Sequence, residues 1–215
     1  MAQTEQKNQN VKKQFEELQS LLERAMALQT SMVLFEWDDE TLAPKGAAEH
    51  TARVIGSLSE QYQEILASMR FKELLDACQK AEKENAGVFD EVQSAILREA
   101  AEEQERLSCI PPEEYRAYAE LTARATGIWT RAREKNDFAS FAPVLKEIIS
   151  YQKKFAAYRA KPGQKLYDVM LDTYEKGFNM EMLDPFFELM KGKIVPLLKE
   201  SAERSKTVPD AFLSA

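Results

Sequence analysis

Histidine and cysteine, the side chains that most often build metal and nucleophile sites, are scarce in this 215-residue sequence. His50 is the only histidine, and one imidazole cannot build a zinc site of the usual kind or complete a catalytic triad without a second positioned group. Cys78 and Cys109 stand 31 residues apart with no Cys-x-x-Cys partner, which excludes a zinc ribbon or a thioredoxin motif. Both cysteines are expected to be buried, reduced and inert. The residues alone therefore assign no catalytic, cofactor-binding or metal-ligating side chain.

Glycine and proline are also few, at seven and eight residues, whereas good helix formers are abundant. No stretch shows the alternation of apolar and polar residues that is typical of a half-buried strand. There is no glycine-rich phosphate loop. These features predict an all-α protein, built as an elongated array of several helices.

Further absences bear on location and partners. No apolar run approaches the ~18 residues of a membrane-spanning helix, and the first ten residues lack the apolar core of a signal peptide. We therefore expect a cytoplasmic protein that does not contact a membrane. The net charge of -7 argues against nucleic acid as a partner, because such a surface would repel phosphates.

The first 110 residues are predicted to form a helical arm. Apolar residues at helical spacing indicate one amphipathic helix that ends near Trp37 and a second that begins near Pro44 and Gly46 and returns along the first. An acidic helix over 88–107 carries a narrow apolar stripe, which favours a coiled-coil arm over a deep core. The stripe consists of Val88, Val92, Ile96, Ala100 and Leu107.

Pro111 and Pro112 mark the one subdomain boundary that the sequence suggests, so we predict a lid-like arm over 1–110 and a helical subdomain over 111–215. Within the subdomain, polar and glycine-containing breaks predict where helices end. Pro143 is predicted to lie in the first turn of a helix, where proline is tolerated. Pro196 is predicted to lie inside a helix and to kink it. The breaks are Lys135-Asn136-Asp137, Lys161-Pro162-Gly163 and Gly177; the candidate caps are Asp137, Ser140 and Asn179; the prolines are Pro143 and Pro196.

The stretch from Phe35 to Ala48 is predicted to be the joint between the first two helices. It contains Trp37 followed by three consecutive acids, which leaves two interpretations open. The acids could form an acid/base or metal site, or they could cap helices while a mostly buried Trp37 holds the two helices together. We favour the structural interpretation.

Two longer motifs resemble a known family. The first reads Trp37-Asp38-x-x-Thr41-x-x-Pro44-x-Gly46-Ala47. The second reads Trp129-x-x-Ala132-Arg133-x-x-Asn136-Asp137-Phe138-x-x-Phe141-x-Pro143-x-Leu145, followed by Tyr167-Asp168-x-x-Leu171-Asp172-x-Tyr174-Glu175-x-Gly177. Together they are similar, over nearly the whole chain, to the Taq-type thermostable carboxypeptidases, which are HExxH zinc metallocarboxypeptidases.

The resemblance implies a helical, cleft-shaped zinc peptidase of about twice this length that removes C-terminal residues from peptides, often as a homodimer. The zinc helix and the third ligand of that family lie beyond the part that this sequence matches. The chain is therefore expected to be an N-terminal piece that walls and covers the cleft, truncated within a larger peptidase domain. It is expected to hold no metal and to be inactive alone. Asp38, Asp137, Tyr167 and Asp172 match family positions and are interpreted as caps and packing contacts.

The alternative is a stand-alone helical adaptor without enzymatic activity that binds a partner through the acidic arm over 88–107.

Overall fold

The structure is a computed structural model that describes residues 2–44 and 46–205. Within these ranges it contains eight α-helices and no strand, which confirms the all-α prediction. The helices are α1 (Ala2–Thr41), α2 (Ala48–Leu66), α3 (Met69–Glu84), α4 (Glu91–Ser108), α5 (Pro112–Glu134), α6 (Phe138–Arg159), α7 (Leu166–Tyr174) and α8 (Met180–Ser205).

The chain divides into two compact units, Met1–Arg159 and Ala160–Ala215. The first unit holds α1 to α6, and the second holds α7 and α8. The division after residue 110 that the sequence suggests falls between α4 and α5, inside the first unit, and stays a prediction.

The main hydrophobic cluster of the first unit is formed by residues of α1, α3 and α4, together with Leu66 from the end of α2 and Phe89 from the segment before α4. Two residues of the predicted apolar stripe contribute to this core, since Ala100 and Leu107 are 4% and 1% exposed. These two positions lie deeper than the spacing of the stripe on an acidic helix indicated, whereas Val92 of the same stripe is 68% exposed. The other large residues of the cluster include Phe15, Leu18, Phe71, Leu74 and Phe89.

Helix ends follow local capping chemistry. Asp90 and Gln93 form a reciprocal capping box at the start of α4. Asp137 accepts from the Ser140 N–H at 3.2 Å before α6, which confirms one of the two predicted caps. Pro143 is the sixth residue of α6, so it lies past the first turn where the sequence analysis placed it.

Two contacts fix α2 against its neighbours. Gly56 is buried, and a Cβ added there would clash with Cγ of Glu120 on α5, so the absent side chain allows the two helices to approach closely. Gln63 is fully buried, and its Nε2 donates to the carbonyls of Leu107 at 3.1 Å and Ile110 at 2.6 Å. The amide of Gln63 therefore satisfies backbone carbonyls at the end of α4.

In the second unit, side-chain hydrogen bonds stabilise the loop between α7 and α8. Asp168 accepts from the Met180 N–H at 2.9 Å, and Asp172 accepts from the Gly177 N–H at 2.8 Å. Gly177 has φ +83°, which explains why the chain turns at a glycine. Asn179 accepts from the Met182 N–H at 3.0 Å, which confirms the predicted cap of α8.

Candidate functional surface on α1

Trp37 lies within a helix and not in the joint between helices. α1 continues to Thr41, whose Oγ1 donates to the Trp37 carbonyl at 2.6 Å. The joint begins one residue later, where the N–H groups of Leu42 and Ala43 both donate to the Asp38 carbonyl, at 2.9 and 2.8 Å. The predicted helix end was therefore about four residues too early. Asp38 ends the helix through its backbone oxygen, while its exposed carboxylate makes no cap there.

The Trp37 side chain is 57% exposed, so the prediction of a mostly buried indole is wrong for the described chain. The reason is its position on the helix. One face of α1 packs on α2, where the Ser59 hydroxyl donates to Sδ of Met32 at 3.1 Å. Trp37 belongs to the opposite face, together with exposed Met26, Val33 and Leu34, which precede it by eleven, four and three residues. We call Met26, Val33, Leu34 and Trp37 the outer face of α1.

Glu36 and Glu40 lie one turn apart along the edge of the outer face. The pKa of Glu36 is raised by partial desolvation and by the nearby Glu40 carboxylate. Repulsion between acids one turn apart explains the second contribution. A carboxyl group with a raised pKa could donate a proton, but two acids alone define no reaction.

A metal ion does not fit the described part of the chain. Residues 2–44 and 46–205 contain no group of three histidine, cysteine or acidic side chains that could hold one. His50 is exposed and is the third residue of α2. The acids that follow Trp37 therefore form no metal site with one another in this structure.

The remaining candidate residues differ in their exposure and in their contacts. Asp137 and Asp172 cap backbone N–H groups as predicted, whereas Tyr167 is 58% exposed and is not a packing contact. Cys78 is buried, and burial raises its pKa to about 11. Cys109 is exposed, which corrects the expectation that both thiols are buried.

One contact of the second motif was not anticipated. The Arg133 guanidinium lies 5.3 Å from the ring centroid of Trp129, one turn earlier on α5. The four-residue spacing of an aromatic and a basic residue on a predicted helix is the signal that could have indicated it. No described helix is long and apolar enough to cross a membrane.

Comparisons with known proteins agree with the two motifs. The model of the family described as Carboxypeptidase Taq (M32) metallopeptidase matches residues 17–215. Carboxypeptidase 1 of Bacillus subtilis (strain 168) is 32% identical over 194 residues, which cover 90% of this chain and 38% of the relative. Thermostable carboxypeptidase 1 of Pyrococcus furiosus is 31% identical over 183 residues, which cover 85% of this chain and 36% of the relative.

Solved structures of carboxypeptidases match the chain in fold as well as in sequence. The crystal structure of BsuCP superposes with a TM-score of 0.81 at 33% identity and covers 87% of this chain and 37% of its own. Trypanosoma cruzi metallocarboxypeptidase 1 superposes with a TM-score of 0.72 at 27% identity, covering 90% of this chain and 38% of its own. The chain belongs to the Carboxypeptidase Taq (M32) metallopeptidase family. It spans under two fifths of the length of the curated relatives that it matches.

Proposed function

We propose that this chain is the N-terminal helical part of a metal-dependent carboxypeptidase that hydrolyses C-terminal residues from peptides. The observation that carries the proposal is the family match over residues 17–215, combined with relatives that are carboxypeptidases of more than twice this length. Zinc as the metal and a homodimer follow from the family resemblance, a cytoplasmic location follows from the sequence features given above, and all three form part of the same proposal. The metal ligands would come from residues outside the described chain, because the described residues do not fit a metal.

The role proposed for this piece is to wall and cover the peptide cleft, with residues 1–110 acting as the lid. The outer face of α1 supports this role. It carries a tryptophan of the family motif, yet it turns away from α2 and is not covered by any described residue. Aromatic and aliphatic side chains line most peptide and ligand clefts, where they exclude water from the bound molecule.

The adaptor alternative is less well supported by the structure. It requires the apolar stripe over 88–107 to be free for a partner. Ala100 and Leu107 of this stripe instead contribute to the core of the first unit, so binding through them would require that core to open.

The test uses the protein expressed from its complete gene. We expect the reading frame to encode a His-Glu-x-x-His motif after residue 215, and the purified protein to release the C-terminal residue from N-blocked peptides in the presence of zinc. Dialysis against a chelator should abolish the activity, and added zinc should restore it.

The matched substrate control is the same peptide with an amidated C-terminus, which a carboxypeptidase cannot use because the free carboxylate is absent. Cleavage of both peptides would indicate an endopeptidase. A gene product without the motif and without turnover would leave the chain as a non-catalytic helical protein, and the proposal would be wrong.

A further inference from the structure

α8 carries a row of large apolar side chains that are exposed within the second unit. None of its described residues is buried, although it is 26 residues long. Nine of its large apolar side chains are between 37% and 64% exposed. Six of them share one side of the helix, namely Phe186, Phe187, Met190, Ile194, Leu197 and Leu198. A helix with such a face is unusual on a free protein surface, where contiguous apolar patches are small.

The width of this face indicates what kind of neighbour it needs. At about 100° per residue, the six side chains fall within an arc of roughly 120°. Met182 and Leu189, which are also more than half exposed, widen the arc to roughly 180°. A seam between two helices needs only a narrow stripe of apolar positions, whereas a face of this width requires two or more neighbouring helices.

The charges on the rest of α8 argue against a lipid surface as the neighbour. Helices that lie on membranes are rich in lysine and arginine on their polar side. α8 instead carries five acids against four bases. Pro185 and Pro196 lie inside the helix on the border of the apolar face, where they further distinguish it from a regular two-helix seam.

We infer that the apolar face of α8 is a docking surface for the helical remainder of the peptidase, and that this contact forms part of the core of the intact enzyme. The inference rests on the proposed function. The family match runs through the whole of α8, and more than three fifths of the length of each curated relative lies outside the matched region. A continuous chain of that length supplies several helices that can cover so wide a face.

The test compares the protein from its complete gene with the 215-residue chain. Hydrogen exchange over residues 180–205 should be fast in the 215-residue chain and at least 100-fold slower in the complete protein, because packed helices open rarely. Leu197→Gln should lower the melting temperature of the complete protein by roughly 5 °C or more, since it places a polar amide in a packed site. The same substitution should leave the melting temperature of the 215-residue chain unchanged.

Lys199→Gln is the matched control, because it introduces the same side chain two residues away on the polar side of α8. Lys199→Gln should leave the melting temperatures of the complete protein and of the 215-residue chain unchanged. Fast exchange over 180–205 in the complete protein, or equal melting temperatures for the two variants, would overturn the inference. Slow exchange that depends on protein concentration would assign the face to a second copy, which also overturns it.

A failure of the docking surface can be distinguished experimentally from a failure of the proposed function. A complete protein that cleaves peptides while α8 remains unprotected contradicts the docking surface alone. A complete protein with α8 protected and no peptidase turnover contradicts the proposed function alone.

Discussion

Replacing Trp37 by alanine distinguishes two roles for this residue. Trp37 either stabilises the joint between two helices or belongs to a surface that binds a group outside the described chain. With 57% of the side chain exposed, folding of this chain removes only about 100 Å² of the indole from water, out of the ~250 Å² that a tryptophan can bury. At about 25 cal/mol per Å², this area corresponds to roughly 2.5 kcal/mol. Alanine retains Cβ and is the better helix former by about 0.5 kcal/mol, so the net cost should be about 1–2 kcal/mol. A fully buried tryptophan would cost about 3–5 kcal/mol.

The first assay is urea unfolding of the 215-residue chain, followed by circular dichroism. Trp129→Ala provides the control, because Trp129 is also partly exposed, at 45%, and lies on a different helix. Both variants should lose similar, small amounts of stability. A loss near 4 kcal/mol for Trp37 alone would show that the indole is a buried joint after all, and the reasoning from its exposure would be wrong.

The second assay measures turnover of the complete enzyme per folded molecule. If the outer face of α1 lines the peptide cleft, Trp37→Ala should lower kcat/KM by about tenfold or more, while the melting temperature changes little. Full turnover combined with a much lower melting temperature would mean that the outer face packs against other helices and does not reach the peptide.

Four further outcomes are expected for the 215-residue chain. Gly56→Ala should cost about 1–3 kcal/mol, because the added methyl group overpacks the contact of α2 with α5. Gln63→Leu should cost about 1–3 kcal/mol by leaving buried carbonyls without a donor. The pKa of Glu114 is lowered by the hydrogen bond from Lys154, so this pair stabilises the fold above the unfolded value of 4.5 and loses its effect as the pH falls through the lower, folded pKa. Lys154→Gln should therefore lower the melting temperature near neutral pH and have no effect at about pH 2. Equilibrium dialysis followed by metal analysis should find no stoichiometric zinc, since His50 is the only imidazole.

Helix ends were the best predicted features, because their signals are local. Asp137, Asn179 and Gly177 each act within a few residues, through a side-chain oxygen that accepts a backbone N–H or a backbone that adopts positive φ. Such contacts depend on chain neighbours that the sequence displays directly. Cys109 shows the opposite case. Its exposure depends on the turn at the end of α4, and the general tendency of cysteines to be buried was the wrong guide.

The exposed faces of α1 and α8 could not be predicted, because an apolar periodicity shows that a helix has a partner without showing which part of a protein supplies it. Helical spacing placed Leu107 on an apolar stripe, and Leu107 is buried, whereas Trp37 was expected to be mostly buried and is exposed. Leu107 belongs to the core cluster of the first unit, whereas the described residues leave more than half of the Trp37 side chain exposed. In a chain that spans 38% of a relative, the apolar positions that stay exposed therefore carry information that the buried ones do not. Under the proposed function they are the positions at which the remainder of the enzyme or its peptide should bind, and Trp37 and Leu197 are the residues at which to measure it.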